Sequence, residues 1–195
     1  MQLKGKIIIT GKIIAETGLH IGGSKAALEI GGVDNSVVKN GDGRPYIPGS
    51  SLKGKLRSLL AKKVGAVSFE SPKERNGNKK HGDNKTYDDD TYIADIFGLP
   101  ASNYKPQSHT RIFVRDAPLH EDSIAALKED SIYEMEFAYS DVKWENVIDR
   151  KTGAAQDKML RQMERVPKGA EFQFEIVYDI YSDWNKIIPN KLYRD

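Results

Sequence analysis

The sequence contains no cysteine, which excludes disulfide bonds and thiolate zinc sites. It has no apolar run near the roughly 20 residues that a membrane-spanning helix needs, and its first residues show no signal-peptide pattern. It also lacks a strong charge of one sign, since 30 Lys and Arg face 28 Asp and Glu. We therefore expect a cytoplasmic protein with no membrane partner, in which the position of the cations indicates any phosphate-bearing ligand.

The predicted strands come from β-branched and alternating stretches. A run at 6–14 predicts a buried strand that extends to Ile21. Further strands are predicted at 110–117, 133–142 and 172–181, and the last of these alternates cleanly between apolar and polar residues.

Two helices are predicted between these strands. The first follows a proline-containing turn, is capped by Ser50 or Ser51 and runs to about Lys63. Its apolar stripe is assigned to Leu52, Leu56, Leu59 and Leu60. A shorter helix at 91–98 ends at a glycine. Strand, helix, strand and further strands predict an α+β domain of the ferredoxin-like (RRM-like) type.

Two polar segments interrupt this pattern. Residues 70–90 are dense in charged residues, Asn and Gly, and predict a disordered or mobile insertion. Residues 143–168 predict a long hairpin arm or a partly helical flap, with cations beside apolar residues such as Trp144 and Met163. Such an arm could grip phosphates and insert an apolar tip between bases. A hairpin that docks a partner or packs internally fits its composition equally well.

The start of the first helix is a candidate anion site. Unpaired N–H groups and a partial positive charge meet two hydroxyls at Ser50 and Ser51, and Lys53 and Arg57 follow a turn later. Residue types alone favour the alternative, a capped surface helix with solvated cations.

Asp34, in a glycine-rich loop at 22–43, could bind one divalent cation, although Asp followed by Asn is more often a turn. No histidine has a metal-ligand spacing, but His20 ends the first strand beside this loop and could contact a ligand or act as an acid. Asp88, Asp89 and Asp90 are interpreted as a helix start.

The segments together resemble the RAMP superfamily, in particular the Csm-type backbone subunit of type III-A CRISPR effector complexes. The stretches that carry the resemblance are 17–23, 33–35, 46–57, 97–98, 111–117, 145–155 and 164–172. The Pro48–Gly54 stretch is typical of the superfamily, and the Asn146–Arg150 stretch is typical of this subunit type.

The resemblance implies a single RAMP domain at 1–195. Its core would comprise about 6–69, 110–142 and 169–181, with an insertion at about 70–109 and a thumb-like β-hairpin arm at about 143–168. The family usually ends with a helix and a glycine-rich loop, and neither is predicted from this sequence up to its last residues, 190–195. Some relatives hold zinc with cysteines before Phe97, and here no zinc is expected because cysteine is absent.

The resemblance also implies a function. Family members stack as a filament of copies along a guide RNA, beside other subunits of the complex, and cut complementary target RNA as metal-dependent endoribonucleases. Asp34 matches the loop aspartate required for cleavage and would be the catalytic residue and the ligand of Mg²⁺ or Mn²⁺. The expected RNA-binding residues are His20, Gly22, Ser50, Ser51, Lys53, Gly54, Arg57, Lys143, Arg150, Lys151, Arg161 and Arg165.

Three alternatives remain at this point. The chain could be a non-catalytic RNA-binding scaffold in which Asp34 only shapes its loop. It could be a metal-independent guide-processing nuclease that uses His20, although that class usually has two such domains in one chain. It could also be a protein-docking module with no RNA role.

Overall fold

The structure is a computed structural model that describes residues 2–23, 33–65, 92–98, 110–128 and 137–182. Most of the predicted insertion, the acidic run at 88–90 and the start of the strand predicted at 133–142 lie outside the described residues. The chain forms two compact units. The first contains 1–9, 49–115 and 176–195, and the second contains 10–48 and 116–175.

The described residues form seven strands and three helices. They are β1 (Leu3–Ile14), β2 (Tyr46–Ile47), α1 (Gly49–Lys63), α2 (Tyr92–Phe97), β3 (Ile112–Val114), β4 (Ala117–Pro118), α3 (Glu121–Lys128), β5 (Asp141–Glu145), β6 (Arg161–Arg165) and β7 (Glu171–Tyr181). The strands form sheets in the orders β1-β7-β3, β2-β4 and β5-β6. The predicted mixture of α and β structure is confirmed, while the ferredoxin-like topology stays a prediction. No helix in the described residues has the length and apolarity needed to cross a bilayer.

The core of the first unit lies where α1 and α2 pack on β3 and the end of β7. Its buried residues are Ala61, Ile93, Phe97 and Ile112, and Leu60, Ile96, Val114, Ile176 and Tyr178 pack against them. The predicted glycine stop is confirmed, because α2 ends at Phe97 and Gly98 has a φ of +85° that favours glycine. Its N–H donates to Ala94 O at 2.8 Å.

The inward face of α1 differs from the prediction. Its residues recur at every fourth position: Gly49, Lys53, Arg57 and Ala61. Leu56 and Leu59 are 36% and 50% exposed, so the leucine stripe is wrong at these two positions. Leu52 is half-buried, and Leu60 packs on the core. The physical reason is that Lys53 donates to Thr110 and Ile112 and that Arg57 donates to Gly98, the residue after α2. These acceptors lower the cost of half-burying the two cations, whose aliphatic stems pack inward.

The second unit contains a hairpin, a short helix and the start of β7. β5 and β6 pair antiparallel with Lys143 opposite Met163. The strand predicted at 133–142 is wrong at 137–140, where a turn places Tyr139 at a φ of +70°. Helix α3 was not predicted. Buried side chains of this unit include Leu119, Leu127, Val166 and Phe172.

The prediction that β1 is buried is wrong, because Ile8 is 62% exposed and Ile9 is 49% exposed. In the part of the chain that the structure describes, β1 lies at the edge of its sheet beside β7. The strand also ends at Ile14 rather than Ile21. Beyond it, Leu19 continues as an isolated bridge to Val166.

Candidate functional site

Both edges of strand β6 form backbone contacts with other segments. One edge pairs with β5, and the other binds the segment that contains Asn35. The Asn35 N–H donates to Gln162 O at 3.2 Å, and the Glu164 N–H donates to Asn35 O at 2.9 Å. Just past the strand, Val166 exchanges backbone hydrogen bonds of 2.8 and 2.9 Å with Leu19. The second edge of β6 therefore holds two segments that are distant in sequence.

Asp34 lies on this edge. Its Oδ2 accepts a hydrogen bond from the Gln162 backbone N–H at 2.9 Å, while the residue itself is exposed. The contact fixes one carboxylate oxygen to a regular strand instead of leaving the side chain in a mobile loop. Asp34 is therefore an exposed acid with a defined position.

His20 is bound to the same edge. Its Nδ1 lies 2.7 Å from Glu164 O. Because a carbonyl oxygen can only accept, Nδ1 carries the proton in the neutral ring and Nε2 is the nitrogen that accepts hydrogen bonds. The anchors of Asp34 and His20, Gln162 and Glu164, are two residues apart, or about 7 Å along a strand. β6 thus brings together the two loop candidates that the sequence singled out.

Glu164 is the buried group of this region, with 2% of its side chain exposed. Its Oε1 accepts from the Ser140 hydroxyl and from Lys39 Nζ, the latter at 2.6 Å, and its Oε2 accepts from the Val37 N–H at 2.9 Å. Burial alone would raise the pKa of Glu164, but the hydrogen bonds from Lys39, Ser140 and Val37 outweigh it and hold the pKa below its ordinary value. The stabilising contribution of the ionised group is therefore complete above that ordinary pKa and is lost as the pH falls through the lowered value.

Glu164 was not singled out as a site residue by sequence reasoning. The signal that could have indicated it is a carboxylate in the middle of the Arg161–Arg165 stretch, at a position that alternates to the inside. Its partners Val37 and Lys39 are more than 120 residues away, so local patterns do not reveal the contact.

One face of the β5–β6 hairpin is charged. Its cross-strand partners place three cations and two carboxylates on that face: Lys143, Arg161, Arg165, Asp141 and Glu145. Lys143 Nζ lies 3.1 Å from Glu145 Oε1. This hydrogen bond lowers the pKa of Glu145, and the positive charge of Arg161 lowers it further. Arg165 pairs with Asp141 at 3.2 Å. The three cations predicted to bind RNA thus share a surface on which carboxylates hold them in place.

The far end of the hairpin is exposed and partly apolar. Trp144 and Ile148 are 56% and 61% exposed, and Leu160 is 57% exposed. Arg150 and Lys151 lie in the connecting loop and are exposed as well. This combination of apolar and cationic side chains suits a surface that contacts bases and phosphates, as the sequence predicted for 143–168.

The helix α1 carries the other predicted RNA-binding residues, all within the first unit. It begins at Gly49, so Ser50 and Ser51 lie in its first turn instead of capping it, and both are exposed. Lys53 Nζ donates to Thr110 Oγ1 at 2.9 Å and to Ile112 O at 3.1 Å.

The cations of α1 lie close to each other. Arg57 Nη1 donates to Gly98 O at 2.8 Å. Burial, followed by the positive charge of Arg57, lowers the pKa of Lys53 below its ordinary value. An anion beside the two cations would relieve the repulsion between them.

The two glycines that the sequence predicted to bind RNA, Gly22 and Gly54, have different surroundings. Gly22 is exposed and forms an isolated bridge with Val37, close to the segment that holds Asp34. Gly54 is exposed in the middle of α1, and nothing lies within 4 Å of the position that a Cβ would take there.

One group of three potential metal ligands occurs in the described residues, at His120, Asp122 and Glu171. No spacing in the sequence indicated a metal site at His120, because Glu171 joins it only through the fold. Lys12 Nζ already lies 2.7 Å from Glu171 and 3.5 Å from Asp122. His120 Nδ1 accepts from the Asp122 N–H at 3.3 Å. We interpret this group as an ion-pair network at the start of α3, with the ammonium of Lys12 as its cation.

Asp34 is not a member of the three-ligand group found in the described part of the chain, so a divalent ion at Asp34 would need further ligands from water or RNA. This donor set fits Mg²⁺ or Mn²⁺, because such ions keep several waters and commonly bind through one or two carboxylates together with phosphates of the substrate. It does not fit zinc, which favours nitrogen and sulfur ligands in a closed shell.

Comparison with known proteins identifies the family. The sequence model of the RAMP superfamily matches residues 12–190 of this chain. The CRISPR system Cms endoribonuclease Csm3 of Methanocaldococcus jannaschii is 39% identical over 192 residues, which are 98% of this chain and 70% of that protein. The Csm3 proteins of Methanothermobacter thermautotrophicus and Enterococcus italicus are each 38% identical, over 96% and 90% of this chain and 75% and 72% of their own lengths. The chain therefore belongs to the RAMP superfamily and, within it, to the Csm3 family.

Proposed function

We propose that this chain is a guide-RNA-binding backbone subunit of a type III-A CRISPR effector complex and that it cleaves complementary target RNA in a metal-dependent reaction at Asp34. The observation that carries the proposal is the edge of β6, which holds Asp34 and His20 beside a hairpin whose charged face carries three cations and two carboxylates. The relatives, which are named endoribonucleases, support the same activity. Other copies of the chain and other subunits of the complex are the expected protein partners.

In this proposal the hairpin and its loop contact the guide–target duplex. Lys143, Arg161 and Arg165 bind phosphates, while the exposed Trp144 and Leu160 contact bases at an interruption of the duplex. Arg150 and Lys151 extend the cationic surface along the loop. Because β6 belongs to the hairpin and also anchors Asp34, the RNA and the carboxylate share one rigid support.

At the cleavage position, Asp34 and His20 have different tasks. Asp34 would hold a Mg²⁺ or Mn²⁺ ion, which would supply stabilisation of the charge that develops on the scissile phosphate. The Gln162 N–H orients the Asp34 carboxylate by holding Oδ2. His20 presents Nε2 as an acceptor for a ribose 2′-hydroxyl, because its Nδ1 proton is used by Glu164 O.

Cleavage tests the proposal as a whole. The protein assembled with its partner subunits and a guide RNA should cut a labelled complementary RNA at regular intervals in Mg²⁺ or Mn²⁺ and should leave it intact in excess EDTA. A non-complementary RNA of equal length is the control and should remain uncut. Cuts that continue in EDTA would contradict the metal-dependent reaction and favour a processing nuclease that relies on His20.

The start of α1 is proposed to hold guide phosphates. Ser50, Ser51 and Gly54 offer exposed groups near the N–H-rich end of the helix, and Lys53 and Arg57 add two charges one turn further on. The lowered pKa of Lys53 means that its protonated form destabilises the free protein, and stability recovers as the pH rises through that lowered value. A bound phosphate removes this penalty because it stabilises both cations.

Replacement of Lys53 by Met should weaken guide-RNA binding roughly tenfold, because one charge-assisted hydrogen bond to a phosphate is lost. The slope of log K against log salt should become shallower by about 0.7 for single-stranded RNA. Binding measured over a salt series checks both values. Lys55→Met, on the exposed side of the same helix, is the matched control and should leave the slope as in the wild type. Equal slopes for Lys53→Met and the wild type would remove Lys53 from the phosphate site.

A further inference from the structure

Glu164 makes contacts that reach from the hairpin to the segment of Asp34. This carboxylate is buried at the base of the hairpin. Three groups donate to it, and two of them, the Val37 N–H and the Lys39 ammonium, come shortly after Asp34 in the chain. The third donor is Ser140, in the turn that precedes β5. One side chain therefore ties three separate parts of the unit together.

The same residue also anchors this region through its backbone. The Glu164 N–H donates to Asn35 O at 2.9 Å, and Glu164 O accepts from the His20 ring at 2.7 Å. Asp34 is thus followed by two fixed points along the segment: Asn35 immediately after it and Val37 three residues later. A carboxylate is required at position 164, because only a group with two acceptor oxygens can accept from Val37 on one side and from Lys39 and Ser140 on the other.

We propose that Glu164 is a positioning residue for the Asp34 carboxylate: its buried side chain holds residues 35–39 against β6 and so sets where Asp34 meets the RNA backbone. The inference rests on the proposed function, since it assigns to Glu164 a role in the cleavage reaction at Asp34. Glu164 does not touch the substrate in this arrangement. It acts through Val37 and Lys39, whose positions it fixes.

Glu164→Gln removes one of the two acceptor oxygens while nearly keeping the volume. The remaining oxygen faces the charged Lys39, so the new amide N–H₂ group faces the Val37 N–H, and donor opposes donor. The segment 35–39 then loses its side-chain contact at Val37 and keeps its backbone hydrogen bonds at Asn35. A displacement of the reacting carboxylate by ~1 Å should lower the cleavage rate at saturating target about 100-fold.

The test uses the assembled complex with guide RNA and measures three quantities for each variant: the cleavage rate at saturating target, target affinity and hydrogen exchange of the segment around Val37. For Glu164→Gln we expect the rate to fall about 100-fold, target affinity to stay within about twofold of the wild type, and exchange of the Val37 amide to become faster. Ser123→Ala is the control, because it removes a part-buried hydrogen bond of 2.8 Å, from the Glu171 N–H to the Ser123 hydroxyl, in the same unit. It should leave the cleavage rate near that of the wild type.

Lys39→Met provides a second variant on a more exposed residue in case the glutamine variant fails to assemble. It removes one of the contacts of Glu164 and should lower the rate about tenfold, with faster exchange around Val37. Wild-type rates in both variants would overturn the positioning role, as would a loss of rate that Ser123→Ala reproduces. If instead Asp34→Asn retains cleavage, the proposed function itself fails, and this outcome is separate from the positioning role.

Discussion

Replacement of Asp34 by Asn should abolish target cleavage while guide and target RNA still bind. The amide oxygen of Asn can accept from the Gln162 N–H as Oδ2 of Asp34 does, so the segment keeps its place on β6. What is lost is the negative charge that is proposed to bind the divalent ion. Because such an ion contributes several kcal/mol to charge stabilisation, the rate should fall at least about 1,000-fold.

The measurement is cleavage of a labelled complementary RNA by the assembled complex, with RNA affinity determined in parallel. Asp34→Ala loses both the charge and the contact to Gln162, whereas Asp34→Asn loses only the charge. Equal inactivity of the two variants would therefore assign the effect to the charge. Asp42→Asn is the matched control, because Asp42 is an exposed aspartate in a nearby turn, and it should cut as the wild type does. Retained cleavage in Asp34→Asn would make the chain an RNA-binding scaffold and would assign the reaction to another subunit.

The second large effect concerns the stability of the first unit. A Cβ at Gly49 would lie 2.1 Å from Val114 O and 2.8 Å from the backbone carbon of Arg115. Both neighbours are backbone atoms, so no side-chain rotation relieves the contact, and either α1 or β3 must shift. Overpacking of this kind costs about 3 kcal/mol or more. Gly49→Ala should therefore lower the melting temperature of the chain by roughly 6–12 °C.

Gly54 offers a control in the same helix. Nothing lies within 4 Å of a Cβ at this position, and alanine has the higher helix propensity. Gly54→Ala should therefore raise the melting temperature by about 2–4 °C, which corresponds to ~1 kcal/mol. Thermal unfolding of the three proteins under one buffer condition measures both shifts. If Gly49→Ala had the same melting temperature as the wild type, the start of α1 would not pack closely against β3.

The elements that the sequence predicted well are those with strong local signals. The strand β7 was predicted at 172–181 and spans Glu171–Tyr181, because its alternation is set by neighbouring residues. The helix α1 was predicted to within two residues from its turn, its serines and its length. α2 was found from its glycine stop. The family was predicted from its motifs and is confirmed by the comparisons.

The parts that were missed or wrong depend on partners far along the chain. The burial of Lys53 and Arg57 needs acceptors at 98, 110 and 112, which no helical period indicates. The contacts of Asp34 with Gln162 and of Val37 with Glu164 each join residues more than 120 positions apart. The roles of Asp34, His20 and the cations in RNA binding and cleavage stay predictions until the variants are measured.

The donor that holds the Asp34 carboxylate is a main-chain group, and this affects how the family can diverge. Almost any residue at position 162 supplies the same N–H, so side chains there can change between relatives without moving Asp34. Proline is the exception, since it has no N–H to donate. A sequence with proline at that position would lose the anchor while every recognisable motif of the family stayed intact.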